Sequence, residues 1–397
     1  MKALVVNAKS PPALAVIRSL GRKNVEVTGA SDSKNDFPLY SRYCKNKILL
    51  RTVPEDIENR IDELYEIIKN HNYDVFLPVM NEKSLMALAK RKDDFEKYTR
   101  LPIPSFSQFS VLSNKAEVAK MLSANKLPAP KSYFLEADDA LETVKREAAF
   151  PVLIKSHRGE GAEGVRMVSD PGGLSAAYQA VAKVHGPCLI QEFIYGRKHT
   201  AVFLVNQQSE PRRFFVHRAI REYPLRGGPT CFLESKKYAP IFEYGLKLLK
   251  MVHYFGLVNM EFIIDEKDGR PKIIDVNPRF YGPVQGAIAA GVDFPYSLFK
   301  MALLGDIETD FSYREGIKCR HLLYADTLHL VSVLRGEKSL KYNLGKIRTV
   351  LNFLKFWEDD SYFILSISDL RPALKKIFAW STVSDFLRIL NRRSSRD

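Results

Sequence analysis

The segments Asn259-Met260-Glu261-Phe262-Ile263-Ile264-Asp265 and Lys272-Ile273-Ile274-Asp275-Val276-Asn277-Pro278-Arg279 hold the residues best spaced for chemistry. They read as two strands joined by a turn at Glu266-Lys267-Asp268-Gly269. In an extended strand, side chains i and i+2 share a face. Asp275 and Asn277 therefore point the same way, and Glu261 can face them from the partner strand. Two carboxylates and an amide on one face make an all-oxygen site for a hard cation such as Mg²⁺. Burying that much negative charge without a cation would be costly. Arg279 lies two positions further on, placed to grip a phosphate or a developing oxyanion with its fork of donors.

Four further features lie upstream. Lys115 opens a helical stretch, and Lys155 ends the apolar strand Pro151-Val152-Leu153-Ile154; a lysine is a compact point charge suited to phosphate oxygens. Gly159-Glu160-Gly161-Ala162-Glu163-Gly164 follows, in which Gly161 and Gly164 could let backbone N–H groups converge on an anion. A plain hairpin turn is the bland alternative. Leu189-Ile190-Gln191-Glu192 runs into Phe193-Ile194-Tyr195-Gly196, an apolar strand ending in polar groups that suits an adenine slot, with Gln191 and Glu192 reading the base edge. His217-Arg218 to Thr230 is basic and then glycine-rich, so Arg221, Arg226, Gly227 and Gly228 are candidates for meeting a substrate.

In this order the chain resembles the ATP-grasp superfamily: an early lysine, a strand-end lysine, a glycine lid, a Gln-Glu adenine strand and the Glu…Asp-x-Asn-Pro-Arg hairpin. The Arg221-Glu222-Tyr223-Pro224 and Gly227-Gly228-Pro229-Thr230 stretches, with Asp369-Leu370-Arg371-Pro372 in the tail, resemble the predicted carboxylate–amine ligases of that group, which include D-aspartate ligases. The resemblance implies ATP and Mg²⁺ as cofactors, with Mn²⁺ as a substitute, and small carboxylate and amine substrates. It gives Lys115 and Lys155 to the ATP phosphates, Glu261, Asp275 and Asn277 to the metal, and Gln191 and Glu192 to adenine. Arg279 and Arg218 would stabilise an acyl phosphate or the tetrahedral intermediate, and His217 or Glu222 could take the amine's proton. Many relatives carry a ribose-binding glutamate two residues after the glycine of the adenine strand; here Lys198 stands there. Activation of a small oxyacid or carbamate, or a nucleotide-binding homologue without catalysis, are the alternatives.

These residues need strands to hold them. The first ~110 residues alternate strand and helix patterns, as in a parallel sheet with crossover helices. The expected architecture is α/β: a pre-ATP-grasp domain over residues 1–108, an ATP-grasp domain of two α+β lobes over 109–305 with its glycine-rich lid near 159–164, and a helical basic region over 306–397. Where a GxGxxG fingerprint would stand, the chain reads Asn7-Ala8-Lys9-Ser10-Pro11-Pro12, which argues against a dinucleotide site. In the tail, Ile347, Val350, Leu351, Leu354 and Trp357, and then Ile377, Phe378, Trp380, Val383, Phe386, Leu387 and Leu390, recur at helical spacing. Docking on the rest of the chain or in a homodimer is the expectation for this region, with membrane association as the minority reading.

The formal charge is +14, and 46% of the 397 residues are hydrophobic. Basic residues are dispersed and not interleaved with aromatics as in a nucleic-acid stripe, so no nucleic-acid partner is expected. From Phe311 onward there are 16 Lys/Arg against 9 Asp/Glu. Cys44, Cys188, Cys231 and Cys319 lack metal-site spacing and suggest reduced thiols. With no apolar run of membrane-spanning length and no signal-like N-terminus, a cytoplasmic location is expected.

Overall fold

The computed structural model describes residues 1–135, 140–159, 164–225, 227–337 and 345–380. Its N-terminal unit is a parallel sheet of β1 (Lys2–Val6), β2 (Glu26–Ser31), β3 (Cys44–Leu49) and β4 (Val75–Pro78), in the order β3-β2-β1-β4. β1 carries the run Ala3 to Val6 and is buried on both faces, as a central parallel strand must be. Ser10 caps the helix Pro11–Arg22 by accepting from Ala13 N, and prolines fill its first two positions, where no intrahelical N–H is lost. At the fingerprint position Asn7 takes a left-handed conformation (φ 61°) and donates to Val79 O, while Lys9 pairs with Asp32 at 2.8 Å. That turn is thus closed by its own side chains.

A second sheet joins β5 (Ser132–Phe134), β6 (Val152–Ser156), β7 (Val165–Val168) and β8 (Cys188–Glu192) in the order β5-β8-β6-β7, all antiparallel. Val144, Leu174, Ala177 and Val181 from two helices cover it. The third sheet has β9 (Gly196–Val205), β10 (Pro211–Glu222), β11 (Thr230–Ser235), β12 (Gly256–Asp265), β13 (Pro271–Asn277), β14 (Lys318–Arg320) and β15 (Ser361–Tyr362), in the order β13-β12-β9-β10-β11-β14-β15. Its strands alternate. Ala201, Phe203 and Val205 of β9 pack under the helix Ala239–Met251, while Val202 and Leu204 join Val284, Phe294 and Phe299 and the N-terminal core residues Val5 and Val16. One continuous core therefore ties the N-terminal unit to the third sheet.

The expected boundary between residues 108 and 109 falls inside the helix Phe106–Leu112. The region after residue 305, expected as helical, supplies β14 and β15 to the third sheet as well as the helices Thr327–Leu334, Lys346–Phe353 and Arg371–Trp380. Its described part docks on the rest of the chain. Arg18, 2% exposed, donates from Nε to Asp369 Oδ2 at 2.9 Å and from its two terminal nitrogens to Ile364 O and Asp369 O. Asp369 also accepts from Ser41 Oγ and Arg42 N. Not every apolar residue of the tail is covered, however: Ile347, Leu351, Leu354 and Trp357 remain exposed. Val383, Phe386, Leu387 and Leu390 lie outside the described residues. No single described helix is long and apolar enough to cross a membrane. The four cysteines are buried and free, as the spacing suggests.

Candidate active site

β12 and β13 form the hairpin read from the sequence, with Glu261 directly opposite Asp275 and Asn259 opposite Asn277. Along β12, Leu257, Asn259 and Glu261 share a row; Leu257 belongs to the apolar core, and the row turns polar toward the site. Asn259 Nδ2 donates to Asn277 O and Arg279 O, which fixes the Asn-Pro-Arg end of the hairpin. Arg279 then reaches back, one terminal nitrogen 3.2 Å from Asn277 Oδ1. The four hairpin residues are brought together as expected.

One detail is absent from the sequence pattern. Between Glu261 and Phe262 the register slips, so that Phe262 faces Ile273 and Ile274 is an extra residue of β13. Its carbonyl accepts from Lys155 Nζ at 3.2 Å. The same amine donates to Gln191 Oε1 at 2.7 Å, and Gln191 Nε2 donates to Ser132 Oγ. Lys155, from β6, thereby spans from the second sheet to the edge of the third. Lys115 approaches from the start of the helix Lys115–Ala124, whose cap Asn114 accepts from Ala116 N and Glu117 N. Its Nζ donates to Gly159 O at 2.6 Å and stands 3.8 Å from Asp275 Oδ1. Lys115, Lys155, Leu189, Gln191, Ile274 and Asp275 line one narrow cleft between the two sheets.

Other candidates fall elsewhere. Glu192 neighbours Gln191 on a strand, so its side chain takes the opposite face, where Oε1 accepts from Tyr133 OH and Ala149 N. It does not share the Gln191 cleft. Gly164 adopts φ +68° beside Ser156, and a Cβ there would stand 2.4 Å from Ser156 Oγ, so this end of the glycine stretch requires glycine. Gly161 and Arg226 lie outside the described residues. His217 is fully buried, stacks on Tyr281, and has its pKa pushed down to about 3 by burial; it sits in the core, without access to a substrate.

The Lys198 that stands in place of a ribose-binding glutamate has a definite role. It is 3% exposed, forms an ion pair with Glu222 Oε1 at 2.7 Å, and donates to Glu261 Oε1 at 3.5 Å and to Gly228 O at 3.1 Å. These partners hold its pKa above the ordinary lysine value against the cost of burial. Lys198 thus links the hairpin carboxylate Glu261 to Glu222 of β10. Gly228, expected to meet substrate, instead gives its carbonyl to this lysine; a Cβ there would fall 2.2 Å from the Tyr223 backbone. Gly227 takes φ +105° beside it.

Beyond Glu222 opens a cavity of about 680 Å³ walled by β10, β11 and residues 345–358. Arg218 lines it from β10, three strands along the sheet from β13, and is paired with Glu234 at 2.5 Å. Arg221 also borders it, but its Nε and one terminal nitrogen are bound to the two oxygens of buried Asp326 and its guanidinium lies over the Phe232 ring. The charge of Arg221 is thus already matched by Asp326, while its side chain still borders the cavity. Two register shifts in the β10–β11 pairing, around Arg221, explain why consecutive residues from Arg218 to Glu222 all border the cavity. His329, Arg197, Lys318, Arg348 and Lys355 line it too and were not among the expected site residues. Basic flanks in the tail sequence were the one available signal for Arg348 and Lys355.

Among the described residues no group of three His, Cys, Asp or Glu side chains could hold a metal by itself. Two opposed carboxylates and an amide do fit an ion that takes its remaining oxygens from phosphates and water, as Mg²⁺ does.

Lys155→Ala is expected to weaken ATP binding about tenfold or more in calorimetry, because it removes a buried charge from the cleft. Lys155→Arg should bind better than the alanine variant, and an unchanged affinity in both would move the nucleotide away from β6.

Residues 112–283 match a family model described as an ATP-grasp domain. Among curated proteins, the propionyl-CoA carboxylase alpha chain of Sus scrofa is 25% identical over 179 residues, 41% of this chain and 24% of that protein. Pyruvate carboxylase of Schizosaccharomyces pombe is 27% identical over 164 residues, 38% of this chain and 13% of that protein. The matches thus span about a quarter or less of these relatives' length. Among solved structures, the biotin carboxylase domain of Hydrogenobacter thermophilus 2-oxoglutarate carboxylase, in complex with MgADP, ADP and bicarbonate, superimposes with a TM-score of 0.63 at 18% identity, covering 80% of this chain and 73% of that one. An L-amino acid ligase from Bacillus licheniformis gives 0.59 at 19% identity, with 77% and 75% covered. An N5-carboxyaminoimidazole synthetase from Staphylococcus aureus gives 0.61 at 13%, with 80% of each chain covered. These likenesses establish the fold. The ATP-grasp match itself extends over residues 112–283, the segment that carries the cleft.

Proposed function

We propose that this chain is an ATP- and Mg²⁺-dependent ligase that activates a carboxylate as an acyl phosphate and joins it to an amine. The observation that carries this reading is the register of the hairpin: Glu261 opposite Asp275, Asn277 on the same face, and Lys115 3.8 Å from Asp275. A carboxylate oxygen is a poor leaving group, and phosphorylation supplies a good one. A divalent cation held by Glu261, Asp275 and Asn277 would neutralise charge on the transferring phosphoryl group. Lys115 and Lys155 hold the phosphates from the other side of the cleft. Arg279, anchored on Asn277, presents its guanidinium where an oxyanion develops, a type of contribution worth roughly 3 kcal/mol per donor. Lys198 keeps Glu261 oriented through its bond to Glu222.

Likeness to the D-aspartate ligase group rests on Arg221 to Thr230 and on Asp369-Leu370-Arg371-Pro372. Activation of bicarbonate is a second reading, favoured by the carboxylases among the curated relatives. One assay separates the two. Carboxylates are screened with ATP and Mg²⁺ in the presence of hydroxylamine, which traps an acyl phosphate as a hydroxamate. A hydroxamate formed with ADP release supports the ligase. ATP hydrolysis stimulated by bicarbonate alone supports the second reading, and stimulation by neither would leave a nucleotide-binding protein.

A further inference from the structure

The cavity beyond β10 has the size of a small-molecule site, about 680 Å³. Six Arg or Lys side chains line it against three Glu. Each glutamate already has a cation: Lys198 stands 2.7 Å from Glu222, Arg218 2.5 Å from Glu234 and Lys318 2.6 Å from Glu358. Arg221 is matched by Asp326. Arg197 and Arg348 have no carboxylate within ion-pair range among the described residues, so the cavity carries uncompensated positive charge.

One wall strengthens the preference for an anion. The helix Lys346–Phe353 begins at Gly345, which has no side chain to cap it. Its first-turn N–H groups lack intrahelical partners, and that end of a helix is electropositive. Gly345, Arg348, Thr349 and Asn352, the face of the helix at this end, border the cavity.

His329 offers a different chemistry. It is 4% exposed, and its Nδ1 lies 2.8 Å from Glu222 O. A carbonyl can only accept, so Nδ1 carries the hydrogen and Nε2 is left as an acceptor. Among the described residues no partner occupies Nε2. Burial holds the ring below the usual histidine pKa and so neutral at pH 7. A cavity with unmatched cations and one neutral nitrogen acceptor suits a ligand that has both an anionic group and an N–H.

We infer that this cavity receives the amine substrate of the ligase reading, on which the inference rests, and that this amine bears a carboxylate or phosphate. The anionic group meets Arg348 and the first-turn N–H groups after Gly345, and the amine N–H is directed at His329 Nε2. Lys198 connects the two halves of the site, since it touches Glu222 on the cavity wall and Glu261 on the hairpin face.

The test compares matched ligands. Amino acids of both hands are titrated by calorimetry against their carboxamides, and O-phosphoethanolamine against ethanolamine. The anionic member of one set is expected to bind at least about tenfold tighter, and that set identifies carboxylate or phosphate as the anion. In Arg348→Ala the preference falls about tenfold; Arg348→Lys recovers part of it. Arg348 is on an exposed helix face, and circular dichroism checks that the variant folds. His329→Asn weakens the amine while keeping the preference for the anionic member. Equal binding of charged and neutral members, or an Arg348→Ala variant with the wild-type preference, overturns the inference. Hydroxamate assays that fail with every carboxylate would count against the ligase reading alone, because calorimetry needs no turnover.

Discussion

Asp275→Ala lowers ATP-dependent turnover by about three orders of magnitude, the loss expected when a metal that supplies several kcal/mol of charge stabilisation can no longer be held. Asn277→Ala has a similar effect with an added contribution, because Asn277 Oδ1 also anchors Arg279. Both variants stay folded. Asp275 is partly exposed, and the ladder that holds β13 to β12 is made by backbone groups. The control is Asp268→Ala in the hairpin turn, which removes a neighbouring carboxylate remote from the cleft and leaves turnover unchanged. Phosphate release at saturating Mg²⁺, with unfolding curves in parallel, decides the matter. Near-normal turnover in Asp275→Ala would remove the hairpin from the chemistry.

Asp369→Ala destabilises the protein by about 3–5 kcal/mol, the cost of leaving a buried cation without its counter-ion. Asp369 accepts from Arg18 Nε, Ser41 Oγ and Arg42 N, so the truncation strands three donors at once. Urea unfolding should show the loss as a lower midpoint. Replacing both partners with apolar residues, Arg18→Met with Asp369→Leu, should cost less than Asp369→Ala alone, since the unpaired charge is then absent. A stability loss below about 1 kcal/mol for Asp369→Ala would mean that water reaches Arg18 in solution.

The hairpin was legible because strand alternation is a local rule: Asp275 and Asn277 share a face whatever lies around them. The register slip at Ile274 was not, because a bulge depends on the partner strand. It supplies the carbonyl that Lys155 uses. The strand pattern of the first ~110 residues is carried by β1, β2 and β4, which hold buried runs. β3, Cys-Lys-Asn-Lys-Ile-Leu, carries no such run, because it is an edge strand whose lysines face water and guard the sheet edge. The residue after Gln191 was expected beside it in the adenine slot, yet adjacent strand residues face opposite ways and Glu192 turns to Tyr133. The cavity was beyond reach of sequence reasoning for another reason. Its walls come from β10 and from residues 345–358, more than a hundred positions apart, and no periodicity links them. Lys198 was noticed only as a missing ribose ligand. Its position between Glu222 and Glu261 depends on the pairing of β9 with both β10 and β12.

The pair of Arg18 and Asp369 joins residues 351 positions apart. At about 5–20 residues per second of synthesis, the guanidinium is made roughly 20 to 70 s before its counter-ion. During that interval the helix Pro11–Arg22 has every apolar residue it needs to cover the parallel sheet, and one cation that it cannot bury without cost. The N-terminal unit can therefore collapse early but reaches its final packing only once Asp369 has been translated. A chain interrupted before that residue would keep an unmatched charge under its first helix and stay loosely packed there. The last-made described segment thus acts as a completeness check on the first-made one.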